Sequence, residues 1–230
     1  MTNYNSFPLG KDHIPKYMER HELHEIAQYY KFNDPREVVT IFENEVAAFS
    51  GSKYAVAVDC CTHAIELSFR HLLAKAKISS FDTVKIPKHT YVSVYQTLRR
   101  LVDVELADIE WSGVYKLGQV TDGAARWSRG MYEGGLHCLS FQKKKVIPIG
   151  RGGMVLTDDK AAADWIRLAS YDGRDLTTAY DTPEHVKMFG YHYYMTPEDA
   201  AYGLLLMKHV TFQGDSMNWT NYPDLTQWAK

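Results

Sequence analysis

Three lysines in a row, Lys143, Lys144 and Lys145, stand between an apolar run that ends at Ser140 and a glycine cluster at Gly150, Gly152 and Gly153. A lysine amine relieved of its proton can attack a carbonyl, whereas a surface run of three is ordinary solvated charge. Asp122 closes the short run QVTD. Buried there it needs a cationic partner or a metal, and as a turn residue it needs neither. Thr62 opens an amphipathic segment, where its hydroxyl and the free backbone amides favour an anion, or where it is a plain N-cap. Tyr91 offers a flat ring for stacking, or a core side chain whose hydroxyl reaches water. Ser140 can hold phosphate or end a strand.

The elements that must position these residues alternate along the chain. AVAV (55–58), TVKIP (83–87), VDVELAD (102–108), QVTD (119–122), LHCLSF (136–141) and GGMVLTDD (152–159) read as strands. TIFENEVAAFSG (40–51), THAIELSFRHLLAKA (62–76), SVYQTLRRL (93–101), KAAADWIRLAS (160–170) and TPEDAAYGLLLMKHV (196–210) read as helices. Gly51 stops the first of these, and Thr196 with Pro197 opens the last. Such alternation predicts an α/β fold with a mostly parallel central sheet flanked by helices. Ligands of such sheets bind beyond the carboxyl ends of the strands. Thr62, His89 to Tyr91, Asp122 and Ser140 to Lys145 all fall at those ends. A helix start and hydroxyls for a phosphate, an aromatic for a ring, a carboxylate for a protonated ring nitrogen and a lysine for an aldehyde together describe pyridoxal 5′-phosphate (PLP). A dinucleotide explains less, because no G-x-G-x-x-G follows the first strand.

Bulk properties set the remaining bounds. A 230-residue chain with a net charge of −2 gives no electrostatic reason to expect nucleic acid or an anionic membrane as partner. Cys60, Cys61 and Cys138 form a poor disulfide framework and fit a reducing compartment. No spaced set of zinc ligands is visible, so no metal is expected, and HELHE (21–25) lacks the H-E-x-x-H spacing and reads as a polar helix face. The segment MTNYNSFPLG has no signal pattern and no apolar run reaches spanning length, which predicts a cytoplasmic protein.

The sequence resembles the DegT/StrS family of PLP-dependent sugar aminotransferases. Ser140, Phe141, Lys145, Gly150, Gly152 and Gly153 fit that family's S-F-x-x-x-K-x-x-x-x-G-x-G-G without a gap, followed by MVLTDD and YDGR (171–174). FENEVAAFSGSKYAVAV (42–58), KIPKHTYVS (85–93), TDGAA (121–125) and GYHYYMTPEDAA (190–201) are similar to its F-E-x-E-F-A, V-P-x-x-T, E-D-A-A-Q and G-Y-N-Y-R-M-S segments. The resemblance implies a shortened form of the aspartate-aminotransferase-type (fold type I) large domain over 40–212, with an N-terminal arm and helix over 1–39 and a tail over 213–230.

By the same resemblance Lys145 is the catalytic lysine that joins the cofactor's aldehyde, and Asp122 pairs with the pyridine nitrogen. Tyr91 stacks on the ring, Cys61, Thr62 and Ser140 hold the phosphate, and His192 stands where the family's asparagine reaches the partner subunit's phosphate. The implied reaction moves an amino group from L-glutamate or a similar donor to a nucleotide-linked keto-sugar, in amino-sugar or surface-polysaccharide biosynthesis. Lysine at this position weighs against the dehydratase branch, which carries histidine there. A homodimer with its active sites at the interface is implied. A non-catalytic, regulatory PLP-binding module is the alternative.

The chain departs from the family in several places. Asp59, Cys60 and Cys61 replace the small Ser/Gly residues before the threonine, and Ala125 replaces the residue after D-A-A. The family's extra helix and strand before the aspartate are missing, so either GVYKL (113–117) replaces the lost strand or the sheet closes without it. The small C-terminal domain of relatives has no counterpart in this sequence.

Overall fold

The computed structural model describes residues 20–178 and 182–229. The first half of the predicted N-terminal arm therefore lies outside the described residues. Helix α1 (His21–Ile26) buries Leu23 and Ile26, and α2 (Glu37–Ser50) buries Val38, Phe42 and Val46 at helical spacing. Gly51 ends α2 in the left-handed conformation, φ 86°, which a side chain would resist. Helix α2 begins three residues before the predicted Thr40.

Strand β1 (Tyr54–Val58) then leads through a tight turn into α3 (Cys61–Ala74). Strand β2 (Thr83–Pro87), helix α4 (Val92–Leu98) and strand β3 (Asp103–Ala107) follow as a βαβ unit whose strands pair in parallel. Strands β4 (Tyr115–Leu117) and β5 (Val120–Asp122) make a short antiparallel hairpin. After β6 (Arg126–Trp127), strands β7 (Leu136–Ser140) and β8 (Gly153–Thr157) lead to α5 (Lys160–Ser170). Helix α6 (Pro197–His209) and strand β9 (Gly214–Asp215) complete the elements that shape the site. The Asp159 side chain caps α5 by accepting from the amides of Ala161 and Ala162, and Thr196 caps α6.

The main sheet has the order β1-β8-β7-β5-β4. Its parallel character lies in direction more than in pairing. Strand β8 is antiparallel to both β1 and β7, and β7 is parallel to β5, so β1, β5 and β7 run the same way with β8 reversed between them. The GVYKL segment does take a place in the sheet, as β4 on the edge beside β5.

Side chains alternate across the sheet and feed two cores. Val56, Val58, Cys138 and Val155 face a cluster with Ile65, Leu67 and Phe69 of α3 and Ile166 of α5. Ala55, Ala57, Leu139, Met154 and Leu156 face the other, with Phe42 and Val46 of α2 and Leu204 of α6. Both faces are covered, which explains why β1 and β8 read as continuous apolar runs. A partly buried ion pair ties these layers together. Arg167 of α5 donates to Glu43 of α2 at 2.6 Å, and the other Glu43 oxygen accepts the Ala57 amide of β1 at 2.8 Å. With the sheet pinned on both sides, the carboxyl ends of β1, β5 and β7 are held at one rim, and β2, paired with β3 in a separate two-stranded sheet, ends beside them.

Candidate active site

A cavity of about 390 Å³ opens at that rim, lined from five segments that are distant in sequence. The β1–α3 turn contributes Cys60, Cys61 and Thr62, the β2–α4 turn Thr90 and Tyr91, and β5 contributes Asp122. Ser140 and Lys145 enter from β7 and the loop after it, and Met217 and Tyr222 from the segment beyond β9. The size is that of a site for one small cofactor.

Lys145 is half-buried, while Lys143 and Lys144 are exposed. Its amide donates to Gln142 O at 2.8 Å, which curls the chain back after β7, and its Nζ contacts the Met217 thioether at 3.6 Å. Burial lowers the Lys145 amine below the ordinary lysine range, against the pull of Asp122 and Cys61. A larger share of it is then the free base that attacks an aldehyde.

The glycines after Lys145 have separate reasons. Gly150 and Gly152 adopt φ of +117° and +137°, and a Cβ on Gly153 would lie 2.4 Å from Cys60 C and Cys61 N. The last of these lets β8 press against the backbone of the β1–α3 turn.

Asp122 is buried at the end of β5, 4% exposed. Its Oδ1 accepts the Ala124 amide at 2.9 Å and its Oδ2 accepts the Tyr115 hydroxyl at 2.5 Å. Tyr115 gives its one proton to Asp122, so the Thr90 hydroxyl, 2.5 Å away, donates to the Tyr115 oxygen. The result is a buried relay from Thr90 through Tyr115 to Asp122. Burial raises the Asp122 carboxyl above the usual range, opposed by Tyr115, Ala124 and Lys145.

On the far side of β5 lies His137 of β7, 1% exposed, and neither ring nitrogen has a hydrogen-bond partner among the described residues. Its ring fills the space beside Gly123, where a Cβ would come 2.1 Å from Nε2. Burial, then the charges of Lys116 and Arg126, lowers its pKa to about 4.

At the other end of the cavity, α3 begins at Cys61 with no side chain capping it among the described residues, so its first-turn amides can meet an anion. The Thr62 hydroxyl is 2.6 Å from that of Ser93. Burial, then Asp122 and Cys138, pushes the Cys61 thiol well above its ordinary value. Beside it His63 bonds Asp59 at 2.6 Å; burial disfavours its charge, yet the bonds to Asp59 and Cys60 hold its pKa at about 9. Tyr91 stands at the mouth, 55% exposed, edge-on to Tyr222.

Six of the seven residues singled out from the sequence thus share one cavity: Lys145, Asp122, Tyr91, Cys61, Thr62 and Ser140. His192 does not line it. Its Nδ1 pairs with Asp172 at 3.1 Å on an exposed face. Sequence reading missed Tyr115, Trp111, Met217 and Tyr222, which complete the walls with Thr90 of the expected His89 to Tyr91 segment. The last two come from the expected tail, where β9 pairs with β6 and brings this segment back over the site.

A strand-end cavity that gathers a half-buried lysine, a buried carboxylate and a helix start is the arrangement expected, from the sequence, of an α/β fold of the PLP-binding class. The sequence profile of the DegT/DnrJ/EryC1/StrS aminotransferase family matches residues 16–112 and 129–218, and the chain belongs to that family. Solved structures of similar fold include AtS13 from Actinomadura melliaura, at TM-score 0.67 and 19% identity over 85% of this chain and 65% of that one. CalS13, a sugar aminotransferase from Micromonospora echinospora, is similar at TM-score 0.64 and 16% identity over 86% of this chain and 66% of its own. GDP-4-keto-6-deoxymannose-3-dehydratase (ColD), solved with bound GDP-perosamine, gives TM-score 0.63 and 16% identity over 85% and 66%. The chain spans just under two thirds of the length of each. Comparison with curated protein sequences finds no match. Among the described residues no helix is long and apolar enough to cross a membrane.

Proposed function

We propose that the chain binds PLP in this cavity and transfers an amino group from an amino-acid donor, L-glutamate, to a nucleotide-linked keto-sugar. The observation that carries the reading is the meeting of Lys145 and Asp122 in one cavity with the uncapped start of α3. Bound there, PLP supplies an aldehyde that joins amines covalently and a ring that accepts the electrons released when a neighbouring C–H bond breaks.

The protein's part is binding, orientation and proton transfer. Lys145, with its amine shifted toward the free base, would hold the aldehyde, and the same amine would move the proton at the donor's α-carbon. Asp122, fixed by Tyr115 and Ala124, holds the proton of the ring nitrogen and balances its charge. Tyr91 covers a ring face. Thr62, Ser140 and the first amides of α3 hold the phosphate, with Cys61 beside them. Lys144 and Arg151 line the same cavity and offer positive charge to an anionic acceptor. The sugar class rests on the family and on relatives that include a sugar aminotransferase and a dehydratase with a bound GDP-sugar. Lys145 favours amino transfer over the dehydratase reaction. We place His192 at a dimer contact, where it would reach the partner's phosphate site.

The test is the first half of the reaction. Protein loaded with PLP and given L-glutamate should release one 2-oxoglutarate per site and lose its visible absorbance. An amino-acid panel that yields no keto acid from PLP-loaded protein would end the enzyme reading. It would favour a non-catalytic binding module, which the replacement of the phosphate-loop glycine by Cys61 also favours.

A further inference from the structure

At the rim of the cavity a second set of groups has no part in that chemistry. Asp59, Cys60 and His63 each bring one donor atom, a carboxylate oxygen, a thiol sulfur and a ring nitrogen, and these lie within 4.8 Å of one another. Local geometry brings them together. Asp59 and Cys60 form the turn after β1, and His63 sits in the first turn of α3, three residues beyond Cys60. Asp59 and Cys60 are also positions at which the sequence leaves the family's Ser/Gly phosphate loop. Residues that need no side chain have become two groups that bind metals, with a third, the imidazole, beside them.

Outer contacts already orient the donors. Arg151 Nη2 donates to Asp59 Oδ2 at 2.6 Å, which leaves Oδ1 facing His63 at 2.6 Å. The His63 ring is stacked on Tyr193, with centroids 3.6 Å apart and planes 9° from parallel. The Asp59 amide donates to the Tyr193 carbonyl at 2.8 Å. Metal ligands are characteristically fixed by partners of this kind.

We propose that Asp59, Cys60 and His63 bind a thiophilic divalent cation of the zinc class through one oxygen, one sulfur and one nitrogen. The mixed donor set suits a borderline-soft ion that accepts four ligands in a tetrahedron, and three protein ligands leave one position open. Carboxylate and thiolate together cancel the two positive charges of the ion, so the occupied site adds no net charge at the positive end of α3. The ion replaces the proton between Asp59 and His63 and the proton of the Cys60 thiol, both released to solvent. Cys60 and Arg151 line the cavity, so an ion held here fixes the turn that forms one of its walls. Cys61, although adjacent, is not part of the set.

The test needs no PLP, so its failure leaves the reading of Lys145 untouched. Protein exposed to zinc and then dialysed should retain one ion per chain, and X-ray absorption at the zinc edge should count one sulfur neighbour. Against a competing chelator, Cys60→Ser and His63→Gln should each weaken zinc binding about tenfold or more. Cys61→Ser should leave it within about twofold, since its thiol lies outside the proposed ligand set. No retained zinc, any other sulfur count, or equal losses in the Cys60 and Cys61 variants would overturn the assignment. Should a variant fail to fold, the sulfur count of the unaltered chain decides by itself.

Discussion

At the Asp122 end of the cavity both carboxylate oxygens are bonded to the protein, and the chain of hydroxyls behind them is buried. At the Thr62 end α3 starts with no capping side chain among the described residues, and the turn before it carries the half-buried Asp59 and Cys60. Under the function proposed above, one end is pre-organised to hold a proton on a ring nitrogen. The other is open and built to receive charge from outside. On that reading the two ends divide the work between them. The β4–β5 hairpin sends Tyr115 back to brace Asp122, while the turn at the other end presents Cys60 and Cys61 to the cavity.

Breaking the braced end should cost turnover, and breaking the open end should cost affinity. Asp122→Ala removes the group that stabilises charge developing on the ring. It should lower the rate of 2-oxoglutarate release about 10³-fold in single-turnover assays at saturating PLP. If Asp122→Ala altered only PLP affinity, the division of labour drawn here would be wrong.

His137 sharpens the comparison, as a buried polar side chain with no hydrogen-bond partner among the described residues. Its folded pKa of about 4 lies below the ordinary 6.5, so between those values the unfolded chain holds one more proton than the folded one. Its contribution is full above pH 6.5 and is lost as pH falls toward 4, about 3 kcal/mol in all. Urea unfolding at pH 7 and pH 4.5 should show this loss in the unaltered chain and not in His137→Leu. The difference between the two separates it from Asp122 and Glu43, whose raised pKa values act in the opposite sense.

Smaller effects probe each end alone. Thr62→Ala should weaken PLP about tenfold, by equilibrium titration of the visible band, with the single-turnover rate unchanged. Tyr115→Phe takes one donor from Asp122 and should slow the single turnover about fivefold while PLP affinity holds. Reversed outcomes for these two would erase the distinction between the ends.

Much of the site could be read from the sequence, because Asp122, Ser140 and Lys145 follow apolar runs whose ends converge in any α/β sheet. The helices and strands were legible for the same reason, to within a few residues at their ends. The reversal of β8 was not, since a run such as GMVLT buried on both faces looks alike in either direction. Tyr115 was hidden in GVYKL, which is too short to show a period and finds its place only through pairing with β5. Met217 and Tyr222 reach the cavity through the pairing of β6 with β9, two residues on each side, a contact no local pattern announces. The Asp59–Cys60–His63 cluster escaped notice because its spacing is one helical turn, not a ligand motif separated along the chain.

The central claim is that the amine of Lys145 and the carboxylate of Asp122 grip one molecule. Incubation with PLP, reduction with borohydride and peptide mapping test it most directly. The account predicts a single stable phosphopyridoxyl adduct on Lys145, absent from Lys145→Ala. Adducts spread over Lys143, Lys144 and other surface lysines, or an undiminished visible band in Lys145→Ala, would contradict it.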